Sequence, residues 1–311
     1  MNVLIVGAGA LGSLIGARLS KTHASISLFS TNREHMEAIR QGGLDIEELD
    51  GTVRNYPLTT YFEVDKLPRN PELALVLVKT YATQRAVSLV QGVCSPSTVF
   101  LTLQNGIGNW ERIAEITGKE AVLAGSTAQG STLLGPGLIR HGGNGPTYIG
   151  EPDGSTSERV RRSVELFREA GLAAEPSEEV ERLIWEKLVI NVGINAITGL
   201  TGIRNGFIAE MQEAGDLCRL AVEEAIMVAG SKGFPIGMEM VQRVIAVARA
   251  TARNRSSMGQ DVDKKKRTEI DAINGAVVRF GKEAGIPTPV NRTLTLLMKV
   301  LEAQYTGPRT P

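Results

Sequence analysis

The chain has 311 residues, of which 42% are hydrophobic, 22% charged and 5% aromatic. That length exceeds one ordinary hydrophobic core and predicts two domains, and the composition excludes a disordered or fibrous chain. Lys plus Arg and Asp plus Glu both number 34, so no net field exists to hold a nucleic acid or an acidic membrane, and small molecules are the expected partners.

From Asn2 to Val6 a short apolar run ends in glycine, and from Leu11 to Ser20 apolar residues recur at helical spacing, which reads as strand, tight turn and helix. Ser25 to Phe29 reads as a second strand, Leu73 to Val78 as a third and Thr98 to Leu103 as a fourth. Near-continuous apolar strands alternating with helices predict a parallel sheet buried on both faces, a doubly wound α/β fold of the Rossmann type. The glycine- and proline-rich stretch from Gly135 to Gly150 predicts strands or a hairpin at the end of that sheet. A helix is expected over Glu158 to Ala170, and almost no strand signal follows. The boundary is placed near Ser177, giving a dinucleotide-binding domain over 1–177 and an all-helical domain over 178–311, broken around Gly199–Gly206, Gly233–Gly237 and Gly285–Pro289.

Gly7-Ala8-Gly9-Ala10-Leu11-Gly12 fits G-x-G-x-x-G and stands where the pattern carries meaning, after a strand and at the opening of a helix. The first glycine permits the turn, the second lets a pyrophosphate approach the backbone, and the third allows helix and strand to pack closely. Helix N-terminal amides favour the bound anion. Cofactor choice turns on the end of the second strand, where a carboxylate holds the ribose 2′-hydroxyl of NAD. Here Thr31, Asn32 and Arg33 stand instead, with no carboxylate before Glu34, so NADP(H) is favoured; Arg33 is equally readable as a solvated helix-start residue. Lys79 and Asn105 follow two strand ends, where a doubly wound sheet places its ligands. Alone, Lys79 also fits a snorkelling surface lysine.

The run WEKLVINVGINAITGL, from Trp185 to Leu200, is a helix apolar nearly all round, yet Lys187, Asn191 and Asn195 recur at intervals of four and project from one side. A buried amide left unpaired costs about 1–3 kcal/mol, and an unpaired charge costs more, so the stripe needs partners. Neighbouring helices can supply them. So can a substrate: hydride delivered to a carbonyl carbon leaves charge on oxygen, which an ammonium can stabilise and protonate. Histidine is scarce, and His23, His35 and His141 all precede the helical domain, which leaves lysine as the candidate acid.

These motifs, GAGALG, LVKTYAT, LQNGIG, WEKLVINVGINAITGLT and SSMGQDVDKKKRTEIDAING, occur in an order that resembles the ketopantoate reductase (2-dehydropantoate 2-reductase) family, the NADPH-dependent reductases of pantothenate synthesis on the coenzyme A pathway. The likeness spans essentially the whole chain. It implies that Lys187 is catalytic and that Glu269 assists by positioning substrate or cofactor. It further implies that Asn105, Asn191, Asn195, Asn205 and Ser257 contact a 2-oxo acid. Gly7 through Gly12, Lys79 and, more loosely, Ser131 and the Thr31–Arg33 turn are implied to face the cofactor.

From the residues alone, Glu269 also fits a surface acid on an amphipathic helix through Ile270, Ile273 and Val277, with Lys264 to Arg267 as its solvated face. Near Ser257, a hydroxyl and the cation of Arg255 could receive a substrate carboxylate. No metal is implied. Cys94 and Cys218 lack metal or redox spacing and read as buried thiols of a reducing cytoplasm. No signal peptide is expected, and no apolar run approaches the ~20 residues that span a bilayer. An apolar face of the helical domain is compatible with a homodimer. Two alternatives stay open: a reductase of another branched 2-oxo acid, and a non-catalytic NADP(H)-binding protein.

Overall fold

The computed structural model describes residues 1–307. They divide into two compact units, one made of Met1–Gln104 with Gly108–Leu183, the other of Asn105–Ile107 with Ile184 onward. The first unit carries strands β1 (Asn2–Val6), β2 (Ser25–Phe29), β3 (Leu44–Glu47), β4 (Val53–Tyr56), β5 (Thr59–Tyr61), β6 (Leu73–Val76), β7 (Val99–Thr102), β8 (Val122–Gly135), β9 (Leu138–Gly150) and β10 (Ala174–Pro176). Its helices are α1 (Ala10–Leu19), α2 (Arg33–Gly42), α3 (Thr83–Gln91), α4 (Asn109–Thr117) and α5 (Glu158–Glu169).

The strands form one sheet in the order β4-β3-β9-β8-β7-β6-β1-β2-β5, with β10 beside β9. Pairing is parallel from β5 across to β8, and antiparallel between β8 and β9 and between β3 and β4. Alternate side chains of β1 enter different cores: Val3 and Ile5 pack with Leu14 of α1 and Phe167 of α5, whereas Leu4 and Val6 pack with Val87 and Val90 of α3 and Ile113 of α4. Both faces are covered, as the unbroken apolar strands require. Strand order reverses between β1 and β6, the switch point outside whose carboxyl ends such sheets bind ligands.

The second unit holds most of α6 (Val180–Thr201), then α7 (Phe207–Glu210), α8 (Gln212–Ser231), α9 (Glu239–Ala250), α10 (Ser257–Asp263), α11 (Asn274–Ala284) and α12 (Pro289–Thr306). Helices separate at the three glycine-containing breaks named above, and also between Ala250 and Ser257 and between Asp263 and Asn274. Leu188, Val189, Val192 and Ile197 of α6 are buried among α8, α9 and α12 residues such as Val222, Val244 and Met298. A buried carboxylate starts the last helix: Glu224 accepts from the backbone amides of Val290 at 2.8 Å and Asn291 at 2.9 Å, where helix N-terminal donors and the dipole favour negative charge.

Three expectations are corrected. Helix α6 spans 22 residues and is long and apolar enough to cross a membrane by length and composition, contrary to the reading that no run approaches that length; its burial makes it a core helix. The helix expected through Ile270, Ile273 and Val277 is interrupted: a 3-10 turn at Ile270–Ala272 precedes α11, because Ile273 leaves helical geometry at φ −108°, ψ −96°. The basic run lies outside α11, in the turn after α10, where Lys265 adopts φ 51°.

Candidate active site

The glycine turn leaves the end of β1 at the switch point. Gly7 has φ +103°, and a Cβ there would lie 2.5 Å from the backbone nitrogen of Val78, so only glycine fits both the turn and the approach of the chain leaving β6. A Cβ on Gly12 would lie 2.4 Å from the Gly7 carbonyl oxygen, while one on Gly9 meets nothing within 4 Å. The first and third glycines are thus required by packing. The second leaves open space at the N-cap of α1, the geometry a pyrophosphate needs.

Beyond β2, the Asn32 side chain caps α2 by accepting from the His35 amide, and exposed Arg33 pairs with Glu37 at 2.7 Å and lies over the Phe62 ring. The first carboxylate is Glu34, inside the first turn of α2. Lys79 is half-buried at the start of a 3-10 turn, Thr80–Ala82, two residues past Leu77, whose amide donates to the Val6 carbonyl. Ser131 lies in β8 opposite His141, past Ala124, the last β8 residue paired with β7, and its Oγ is buried without a hydrogen-bond partner among the described residues.

Asn105 belongs to the second unit with Lys187 and Glu269. Gly106 has φ +81°, and a Cβ there would lie 2.7 Å from the Ala272 carbonyl oxygen, which also accepts from the Ile107 amide at 3.3 Å. The loop bearing Asn105 is therefore seated on the 3-10 turn that follows Glu269.

On α6 the polar stripe is real. Burial pushes the Lys187 ammonium down to about 8, and the charge of Glu269 partly offsets that by raising it. Glu269 is itself buried, so the turn before α11 brings a carboxylate to the lysine instead of to solvent. One turn along, Asn191 Nδ2 is buried and donates to nothing among the described residues. A further turn along, Asn195 Nδ2 reaches Ser257 Oγ at 3.5 Å, joining two of the expected substrate residues.

Ser257 opens α10, capped by Ser256, whose hydroxyl accepts from Gly259 N and from Thr198 Oγ1 of α6. The neighbouring Arg255 is already engaged within the protein. Its guanidinium donates to both Asp263 oxygens and to the Thr198 and Ile203 carbonyls, capping the end of α6. Asn205 donates to Thr251 Oγ1 at 3.0 Å, and Thr251 gives its only proton to the Val247 carbonyl. The Asn205 carbonyl oxygen is thereby turned away as a buried acceptor without a partner among the described residues.

Sequence reading gave no role to Gln104, the residue before Asn105. It is buried, donates to the Val78 carbonyl at 2.7 Å and to Thr83 Oγ1 at 2.8 Å, and accepts from Thr102 Oγ1 at 2.9 Å. A glutamine directly after an apolar strand was the available signal. Two of the three histidines are structural: His35 joins Ser13 and the Gly137 amide and is lowered by burial to about 4, and His141 sits beside Arg18 and Glu48. Cys94 and Cys218 are free thiols, raised by burial to about 11 and about 12. Among the described residues no group of three His, Cys, Asp or Glu could hold a metal ion.

Two family models match the chain. Residues 3–154 match the model described as ketopantoate reductase PanE/ApbA, and residues 179–302 match its C-terminal counterpart. The chain belongs to the ketopantoate reductase family. A 2-dehydropantoate 2-reductase of Halobacterium salinarum is 35% identical over 302 residues, covering 97% of this chain and 99% of the relative. Among solved structures, a ketopantoate reductase of the PanE/ApbA family from Ralstonia eutropha superposes with a TM-score of 0.90 at 28% identity, covering 98% of this chain and 99% of that one. D-Mandelate dehydrogenase in a ternary structure with NADH and anilino(oxo)acetate also superposes with a TM-score of 0.90, at 25% identity and the same coverages.

Proposed function

We propose that this ketopantoate reductase family member reduces 2-dehydropantoate to pantoate with NADPH, Lys187 acting as the general acid. The observation that carries the assignment is an ammonium on α6 held near the physiological range by opposing effects of burial and Glu269, on the same helix face as two amides. When bound, the nicotinamide cofactor supplies the hydride. Gly7 through Gly12 and Lys79 hold its phosphates, and the open space over Gly9 fits the pyrophosphate. The absence of a carboxylate before Glu34 and the exposed guanidinium of Arg33 favour the 2′-phosphate of NADPH over NAD.

Lys187 Nζ donates to the 2-oxo oxygen, stabilises the charge that grows there as C2 is reduced, and transfers its proton to give the hydroxyl. Glu269 keeps that nitrogen protonated. The Asn191 amide supplies a donor that no described residue takes up, Asn195 and Ser257 bind the carboxylate end, and Asn105 and Asn205 complete the polar lining.

The test is NADPH oxidation with 2-dehydropantoate by the wild-type protein and Lys187→Ala. A drop in kcat of about 10²- to 10⁴-fold with NADPH affinity retained is expected; an unchanged kcat removes Lys187 from the chemistry. The likeness to D-mandelate dehydrogenase favours a second reading, reduction of another branched or aromatic 2-oxo acid. A larger kcat/KM for such an acid than for 2-dehydropantoate would establish it.

A further inference from the structure

We propose that Gln104 is a positioning residue for the nicotinamide nucleotide, acting through the Val78–Lys79 segment. The inference rests on the reading above that Lys79 contacts the cofactor. Val78 is pinned from two sides: its nitrogen lies against Gly7, with room only for a hydrogen at that Cα, and its carbonyl accepts the Gln104 amide at 2.7 Å. The peptide that joins Val78 to Lys79 is therefore fixed relative to the glycine turn by one side-chain hydrogen bond.

The polarity of the Gln104 amide is not arbitrary. Val78 O can only accept, so the NH₂ group must face it; the second N–H goes to Thr83 Oγ1, and the amide oxygen takes the Thr102 hydroxyl proton. Thr83 in turn donates to Asn109 Oδ1 at 3.4 Å, tying α3 and α4 into the same network. Every polar atom of the side chain is satisfied inside the first unit, and the network joins the ends of β6 and β7, the starts of α3 and α4, and the strand ends at the switch point. Removing the amide leaves the part-buried Val78 carbonyl without this donor, and an acceptor so left favours rotation of the peptide. Lys79 then loses its register with the glycine turn.

The experiment is a double-mutant cycle on NADPH dissociation constants, read by nucleotide fluorescence, with Gln104→Met, Lys79→Ala and the double variant. Gln104→Met is expected to weaken NADPH about tenfold, with kcat at saturating NADPH and KM for the 2-oxo acid little changed. In the Lys79→Ala background the same substitution is expected to have almost no further effect, because the group it positions is gone. Additive losses, or an unchanged dissociation constant in Gln104→Met, overturn the proposal. If Lys79→Ala alone leaves NADPH binding intact, the cofactor role of Lys79 falls as well. Should Gln104→Met fail to fold, Thr83→Val removes one acceptor of the amide while leaving Gln104 in place, and the same cycle decides with that variant.

Discussion

The carboxylate of Glu269 raises the proton affinity of the Lys187 ammonium, burial lowers it, and burial wins. The outcome is an amine that titrates near 8 in the folded protein against 10.5 for an unperturbed lysine. A general acid works best when its proton is held just firmly enough to be present and loosely enough to be given.

Activity and stability should therefore part company at alkaline pH. With Lys187 as the proposed acid, its proton is present below about 8, so kcat/KM for the oxo acid is expected to be level there and to fall tenfold per unit as pH rises beyond it. Between about 8 and 10.5 the unfolded chain binds that proton more tightly than the folded one, so this group's contribution to stability rises with pH over the same window. Parallel rate and thermal-melting profiles check both. A rate limb that tracks loss of fold instead would remove Lys187 as its origin.

Replacing Glu269 by Gln removes a charge that helps hold the proton on Lys187. The amine should become more acidic, and the alkaline limb of kcat should move to lower pH, with activity at pH 6 recovering toward wild type more fully than at pH 8. If Glu269 only packs the 3-10 turn, the variant should lose activity by one factor at every pH.

Much of this site is legible in the chain because its physics is local. An apolar run, three spaced glycines and a helical period define β1 and α1, and intervals of four place Lys187, Asn191 and Asn195 on one face whatever surrounds them. Partners set by tertiary structure are not legible. Nothing near Arg255 in the sequence announces that Asp263 and the carbonyls of Thr198 and Ile203 engage its guanidinium. The apolar spacing from Ile270 to Val277 conceals the break at Ile273, which brings Glu269 to the lysine. Strands β4 and β8 escaped because VRNY and VLAGSTAQGSTLLG are too polar or too glycine-rich for an apolar alternation, their pairing being set by β3 and β9.

The first two glycines of the turn should fail in different ways. Gly7→Ala forces a Cβ to 2.5 Å from the Val78 nitrogen at φ +103°, so folding of the first unit should suffer, with a fall in melting temperature. Gly9→Ala meets no protein atom within 4 Å and should fold normally, yet its methyl occupies the approach of the pyrophosphate, so NADPH should bind at least tenfold more weakly, about 1.4 kcal/mol or more. Calorimetric melting and NADPH titration of the two variants separate the effects; normal cofactor binding by Gly9→Ala would argue that no pyrophosphate passes there.

Asn191 should show the opposing demands of folding and binding most directly. Its Nδ2 is buried with no acceptor among the described residues, a condition that costs the free protein about 1–3 kcal/mol. Asn191→Leu keeps the branching at Cγ and removes the unmet donor, so without substrate the variant should melt at a higher temperature than wild type. In the proposed role the same change deletes a donor to the oxo acid, so KM for the acid should rise at least tenfold with the NADPH dissociation constant unmoved. A variant that is less stable without ligand would show that the amide is already satisfied by the protein or by water, and its place in the substrate pocket would then have no energetic support.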